Sequence, residues 1–144
     1  MLKYHRRIRI DMTRNEAREI LMQILYEMDA SKSMEAETAE RLTQERLKGV
    51  NAQRGAQLLC SIIENLDAID SSINEKSRSW KTGRMPKVDL AIMRLAIGEI
   101  RFDDTVPQAV AINEAVNLAK KFSMEKSSGF INGVLGAIVN QDER

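Results

Sequence analysis

The segment at residues 88–100, VDLAIMRLAIGEI, restricts the possible folds of this chain more than any other stretch. Its spacing predicts a helix with apolar residues on both sides: Val88, Ala91, Ile92 and Leu95 on one, and Leu90, Met93, Ile97 and Ile100 on the other. A helix that is apolar nearly all round is stable only when several neighbours cover it. The sequence therefore predicts a central helix inside a helical assembly.

The rest of the chain is also helical in pattern. Residues 13–16, TRNE, are typical of a capping box, in which Thr13 caps a helix and Glu16 lies three residues on. Apolar residues then recur at steps of three and four, at Ala17, Ile20, Leu21, Ile24, Leu25 and Met28, and again at Leu59, Ile62, Leu66, Ile69 and Ile73. No stretch alternates as a strand does. We predict an all-α fold, a compact bundle of about seven helices.

The 144 residues are enough for one domain with a real core. We expect a flexible basic arm at residues 1–12, an N-terminal helical subdomain at 13–79 and a C-terminal one at 88–140. Gly83 and Pro86 mark a linker at 80–87. The stretch 51–76 fits either one long helix or two nearly collinear ones.

Catalytic chemistry has little support in this sequence. His5 is the only histidine and lies in the arm, and the single cysteine, Cys60, forms neither an internal disulfide nor a metal cluster. The sequence has no P-loop and no HExxH motif, and the glycines of GFINGVLG follow no strand. We expect no enzyme activity, no cofactor and no metal. The sequence also has no apolar run of membrane-spanning length, so we expect a cytoplasmic protein.

Positive charge is concentrated at the N-terminus, although the whole chain carries a net charge of only +1. The cations of this strip are Lys3, Arg6, Arg7, Arg9, Arg14 and Arg18. Tyr4 and His5 lie among them. Cations attract phosphates and flat rings stack on unpaired bases, so the strip fits binding of single-stranded RNA. A solvated tail without a partner fits the same residues.

Four motifs in fixed order make the chain recognisable. AREILMQILYEMD, VDLAIMRLAIGEI, VPQAVAINEAVNLAKKF and FINGVL occur in the order and at about the spacing found in the NusB family of transcription antitermination factors. The chain resembles that family over about residues 13–139. The resemblance implies an all-helical protein of two subdomains that pairs with ribosomal protein S10 (NusE) and binds boxA RNA of nascent transcripts. The pair would help RNA polymerase to resist termination, notably on ribosomal RNA operons.

The same resemblance implies two surfaces. On the RNA side it points to Arg14, Arg18, Lys126 and Phe130, with Lys120 and Lys121 flanking the RNA path. On the S10 side it points to Tyr26 and Asp89. Each has a simpler interpretation: Phe130 can belong to the core, Tyr26 can bury its ring, and Asp89 can complement a helix dipole.

The start of the first helix departs from the family pattern. Family members usually have consecutive basic residues just before ARE, whereas this chain has Asn15 and Glu16 there. Our hypothesis is that Arg6, Arg7 and Arg9 of the arm reach the same phosphates.

Two other functions fit the same fold. One is a helical adaptor that binds proteins but no RNA. The other is the N-terminal domain of a ribosomal RNA cytosine methyltransferase, although this chain shows no cofactor-binding α/β domain after it. Pairing with a second copy of the chain, as a homodimer, is also open.

Overall fold

The structure is a computed structural model that describes residues 12–142. This part of the chain folds into seven helices and contains no strand, as predicted. The helices are α1 (Arg14–Ala30), α2 (Ala36–Arg46), α3 (Val50–Glu64), α4 (Leu66–Lys76), α5 (Lys87–Phe102), α6 (Gln108–Phe122) and α7 (Ser127–Asp142). No helix in this range is both long and apolar enough to cross a membrane.

Helix α1 begins at the predicted N-cap, Thr13, with one of the two hydrogen bonds of a capping box formed. The Thr13 hydroxyl accepts a hydrogen bond from the Glu16 amide at 3.0 Å, which satisfies one of the free donors at the helix start. The inner face of the helix is buried at Ala17, Leu21, Ile24, Leu25 and Met28. The local sequence therefore sets both the start and the orientation of this helix.

The stretch 51–76 forms two helices and not one. Helix α3 ends at Glu64 and α4 begins at Leu66, with Asn65 between them outside the regular helical region (φ −113°, ψ 20°). The Asn65 side chain donates to the Ser61 carbonyl at 2.8 Å, and the Asn65 backbone amide donates to the same carbonyl at 3.2 Å.

Helix α5 lies at the centre of the bundle and packs against α1, α3, α4, α6 and α7. Its residues from Asp89 to Glu99 are all buried. It approaches α3 closely at Gly98, where an added Cβ would lie 2.4 Å from the Ile62 side chain. The prediction of a central helix is confirmed.

One apolar core joins the helices on both sides of the 80–87 stretch. It contains residues of α1 and α3, such as Leu25 and Leu59, together with Leu118 of α6 and Leu135 of α7. The division into two subdomains stays a prediction. Within the stretch itself, Met85 is only 2% exposed and packs in the same core.

Candidate functional site

The basic strip enters the described structure at the start of α1. Asn51 of α3 donates to the Met12 carbonyl at 2.9 Å and fixes the point where the arm joins the bundle. The Arg14 guanidinium donates to Asp103 and to Thr105, both at 3.1 Å, and its side chain stays 41% exposed. Arg14 is therefore accessible, but part of its charge is already shared with a carboxylate. The arm residues Lys3, Arg6, Arg7 and Arg9 lie outside the described residues.

Asp103 is held in its ionised form. Its partial burial favours the neutral acid, but hydrogen bonds from the Thr105 hydroxyl and amide and the charges of Arg14 and Arg54 prevail. Together they hold the pKa of Asp103 below its usual value. The loop after α5 thus carries a carboxylate beside the root of the arm.

Arg18 does not lie on the surface strip. It is 7% exposed, and its guanidinium donates to both carboxylate oxygens of Glu99 on α5, at 2.7 and 2.8 Å. A third donor reaches the Asn15 side chain at 2.6 Å. Burial alone would disfavour the cation, but the hydrogen bonds and charge of Glu99 raise the pKa of Arg18. We therefore correct the prediction that Arg18 faces RNA: its side chain is buried, and its paired bonds to Glu99 join α1 to α5.

Lys120 and Lys121 lie in the last turn of α6 and are both exposed. The Lys121 ammonium contacts Glu19 of α1 at 2.8 Å and lies 5.2 Å from the centre of the Phe122 ring. Lys120 lines a groove between α6 and α7 with Asn113 and other residues. Of the two cations, Lys121 is the one held by a carboxylate.

Lys126 and Phe130 lie at the start of α7, and they differ in accessibility. Lys126 is exposed, whereas Phe130 is half-buried and packs against the core. The Phe130 ring meets the Trp80 ring edge-on, with centroids 5.3 Å apart and planes at 79°. Phe130 therefore has a packing role in addition to the surface role that the resemblance implies.

Tyr26 and Asp89, the two predicted partner residues, have opposite environments. Tyr26 is 41% exposed on α1, seven residues beyond Glu19 and so on nearly the same helix face. Asp89 is fully buried, and its Oδ1 accepts a hydrogen bond from the Ser123 hydroxyl. We correct the prediction for Asp89 accordingly: it cannot present a carboxylate at a protein surface.

Asp89 instead anchors the loop between α6 and α7. The hydroxyls of Ser123 and Ser127 lie 3.0 Å apart. A hydroxyl has one hydrogen, so Ser127 donates to Ser123 while Ser123 donates to Asp89. The other oxygen of Asp89 is buried and has no partner among residues 12–142. This chain of hydrogen bonds fixes the loop that displays Lys126.

Two buried ion pairs were missed by the sequence reasoning. Arg94, 6% exposed, donates to both oxygens of Asp70 on α4 at 2.9 and 2.7 Å and approaches Asp29 of α1 at 3.6 Å. Arg18 and Glu99 form the second pair. Their positions in the sequence indicate burial. Arg18 precedes Leu21 by three residues on the apolar face of α1, and Arg94 falls within an apolar segment.

Comparisons with known proteins identify relatives over most of the chain. The model of the NusB family matches residues 15–140. The chain is 45% identical over 127 residues to the transcription antitermination protein NusB of Agathobacter rectalis, covering 86% of this chain and 97% of that protein. It is 43% identical to the protein of the same description from Natranaerobius thermophilus, covering 90% of this chain and 96% of that one.

Solved structures show the same fold. The structure of T. maritima NusB superposes with a TM-score of 0.82 at 26% identity, covering 91% of this chain and 93% of that one. A structure of the antitermination factors NusB and NusE in complex with dsRNA matches with a TM-score of 0.76 at 25% identity, over 90% of this chain and 99% of that one. Sequence and fold agree over nearly the whole described structure, and the chain therefore belongs to the NusB family.

Proposed function

We propose that this chain is a transcription antitermination factor that binds boxA RNA of nascent transcripts together with ribosomal protein S10 (NusE). Its action would favour processive transcription of ribosomal RNA operons, in the cytoplasm, through the RNA polymerase antitermination complex. The observation that carries the proposal is the family match over residues 15–140, since the matched relatives are antitermination proteins. The related NusB–NusE–dsRNA structure supports the choice of RNA and NusE as partners.

The accessible cations of the described structure supply the RNA side. Arg14, Lys120, Lys121 and Lys126 are exposed or partly exposed, and two of them lie in the last turn of α6. The arm adds Lys3, Arg6, Arg7 and Arg9. Phosphate contacts of this kind supply affinity and positioning, whereas base recognition supplies specificity.

The S10 side centres on Tyr26. Its ring is 41% exposed, and tyrosines of this kind are frequent anchors of protein interfaces because they bury a large area with little loss of side-chain entropy. Asp89 supports the RNA side and not the S10 side, since it holds the loop of Lys126 through Ser123. In this proposal Asp89 is a positioning residue and does not touch S10.

Fluorescence anisotropy of a labelled boxA-type RNA tests the RNA half of the proposal. We expect tighter binding to boxA than to a scrambled RNA, further tightening when S10 is added, and weakening with salt. Lys126→Gln should weaken binding and lower the salt slope by about 0.7, the loss of one phosphate contact. The matched control is Lys48→Gln, an exposed cation between α2 and α3, which should leave the slope unchanged.

Deletion of residues 1–11 tests the arm. We expect a flatter salt dependence, because each lost phosphate contact removes about 0.7 from the slope. An unchanged slope would show that the arm does not compensate for Asn15 and Glu16. Absence of any boxA preference and of any S10 effect would favour a protein-binding adaptor instead.

The S10 half is tested by Tyr26→Ala. We expect at least a tenfold loss of S10 affinity, as for truncation of an aromatic anchor. The control is Phe102→Ala, which removes an aromatic ring of similar exposure, 39% against 41%, at the far end of α5. Equal losses from both variants would contradict the assignment of Tyr26. Sedimentation of the protein alone, before S10 is added, reports whether a homodimer forms.

A further inference from the structure

The connection between α4 and α5 carries a high net positive charge. Residues 76–87, KSRSWKTGRMPK, contain no carboxylate and five cations: Lys76, Arg78, Lys81, Arg84 and Lys87. We call this stretch the basic connection. The nearest carboxylates along the chain, Glu75 and Asp89, form no ion pair with it within residues 12–142: Asp89 is buried against Ser123, and Glu75 accepts a hydrogen bond from Gln141 at 3.4 Å.

The basic connection is an ordered loop. The Asn74 side chain accepts from the Thr82 amide at 2.7 Å and donates to the Thr82 hydroxyl at 3.2 Å. The Ser77 hydroxyl bonds the backbone of Trp80, and Met85 is buried in the core. The polar and apolar anchors of the loop thus fix where its cations stand.

The cations themselves take little part in this ordering. Arg78, Arg84 and Lys87 are exposed, and within residues 12–142 no carboxylate oxygen lies within 4 Å of any of the three. Lys81 alone bonds the loop, through the carbonyls of Asn74 and Ser77 at 2.7 and 2.9 Å. Grouped like charges repel, so a fixed cluster without partners is a cost that fold stability does not explain.

The position of Lys87 is also unfavourable for the stability of the fold. It is the first residue of α5, and a cation in the first turn of a helix is unfavourable because the free amides there carry partial positive charge. A residue placed against the helix dipole, on an exposed surface with no partner among residues 12–142, is more readily explained by a ligand of negative charge.

Aromatic packing joins the basic connection to the RNA side. Trp80 contacts Phe130, four residues beyond the exposed Lys126 at the start of α7. Arg14 lies at the other end of α5, against Asp103. Helix α5 has 16 residues, so the two ends are separated by about 24 Å. One RNA must therefore extend over this distance to reach both.

We propose that the basic connection is a second RNA contact, which holds the phosphates of single-stranded RNA flanking boxA without reading its sequence. It deepens the proposed function and rests on it. Arg84 and Lys87 carry the contact from a fixed loop, while the arm and Arg14 act at the opposite end of α5. RNA that continues past Lys126 onto the basic connection gains a further linked contact, and RNA that ends with boxA at Lys126 does not.

The experiment compares two double variants on two RNAs. Arg84→Gln/Lys87→Gln removes one arginine and one lysine from the basic connection, and Arg41→Gln/Lys48→Gln removes the same charges from the exposed side of α2 and the turn after it. The RNAs are boxA alone and boxA with ten unstructured nucleotides on each side. Thermal melting of each variant verifies folding.

With the extended RNA, we expect the first variant to lower the salt slope by about 1.4 and the affinity by about 25-fold at 0.1 M salt, for two phosphate contacts. With boxA alone, the affinity of the first variant should change by less than about threefold. The affinity of the control variant should change by less than about threefold on both RNAs. Equal losses in both variants would overturn the proposal by showing only an effect of net charge. Loss of S10 affinity without loss of RNA affinity would instead make the loop a protein surface. Absence of boxA preference in the unaltered protein would refute the proposed function itself.

Discussion

Replacement of Glu99 by glutamine tests whether the buried Arg18–Glu99 pair joins α1 to α5 as the structure indicates. The variant keeps the shape of the side chain but leaves Arg18, 7% exposed, without its counter-charge. Two charge-assisted hydrogen bonds at 2.7 and 2.8 Å are weakened or lost. Breaking a buried pair from one side costs about 3–5 kcal/mol. A small cavity lined by both residues can admit water, so we expect the lower end, about 3 kcal/mol.

Urea unfolding followed by far-ultraviolet circular dichroism measures this loss. The double variant Arg18→Met/Glu99→Leu removes both charges and should unfold with a free energy within about 1–2 kcal/mol of the unaltered protein, or above it. Glu45→Gln is the control, since the exposed Arg41–Glu45 pair contributes at most about 0.5 kcal/mol. A loss below about 1 kcal/mol for Glu99→Gln, with an unchanged m-value, would refute the reasoning.

In the same urea assay, Gly98→Ala should destabilise the protein by about 1–2 kcal/mol, because the added Cβ would overlap Ile62 of α3. Gly136→Ala, which has open space around it, should be neutral or stabilising. Glu19→Gln should free Lys121 and raise RNA affinity up to about fivefold at low salt in the anisotropy assay; weaker binding would contradict a role for that lysine. Because the fold lowers the pKa of Asp103 below its usual 3.8, its stabilising effect is complete above that value and is lost as pH falls through the lower folded pKa. Stability of Asp103→Asn should therefore fall less steeply with acid than that of the unaltered protein, and parallel curves would contradict this.

Local sequence was sufficient for the helices and for most of the core. The start of α1 followed from the pairing of Thr13 with Glu16, and the central place of α5 followed from its apolar circumference. Both depend on interactions within a few residues or on a simple period. The break at Asn65 was left open, because the apolar spacing continues across it and only the backbone angles reveal two helices.

The candidate site was harder to predict, because its charges pair across long stretches of sequence. Arg18 and Glu99 are 81 residues apart, and nothing near Arg18 indicates that its partner lies on α5. Asp89 looks like a helix-capping or surface carboxylate until Ser123, 34 residues away, takes its oxygen. A basic or acidic residue in a helical sequence does not reveal whether it is a surface charge or one half of a buried pair.

The complete covering of α5 also affects how the molecule opens. Amide hydrogens exchange through local fraying only where a helix can detach without exposing much of the core. Helix α5 cannot detach in this way, because it packs against five other helices at once. We expect its amides to exchange only on global unfolding, whereas α2, which packs against α1 and α3 alone, can open in part. We expect the central helix to keep the packing of the bundle fixed while surface segments adjust to partners.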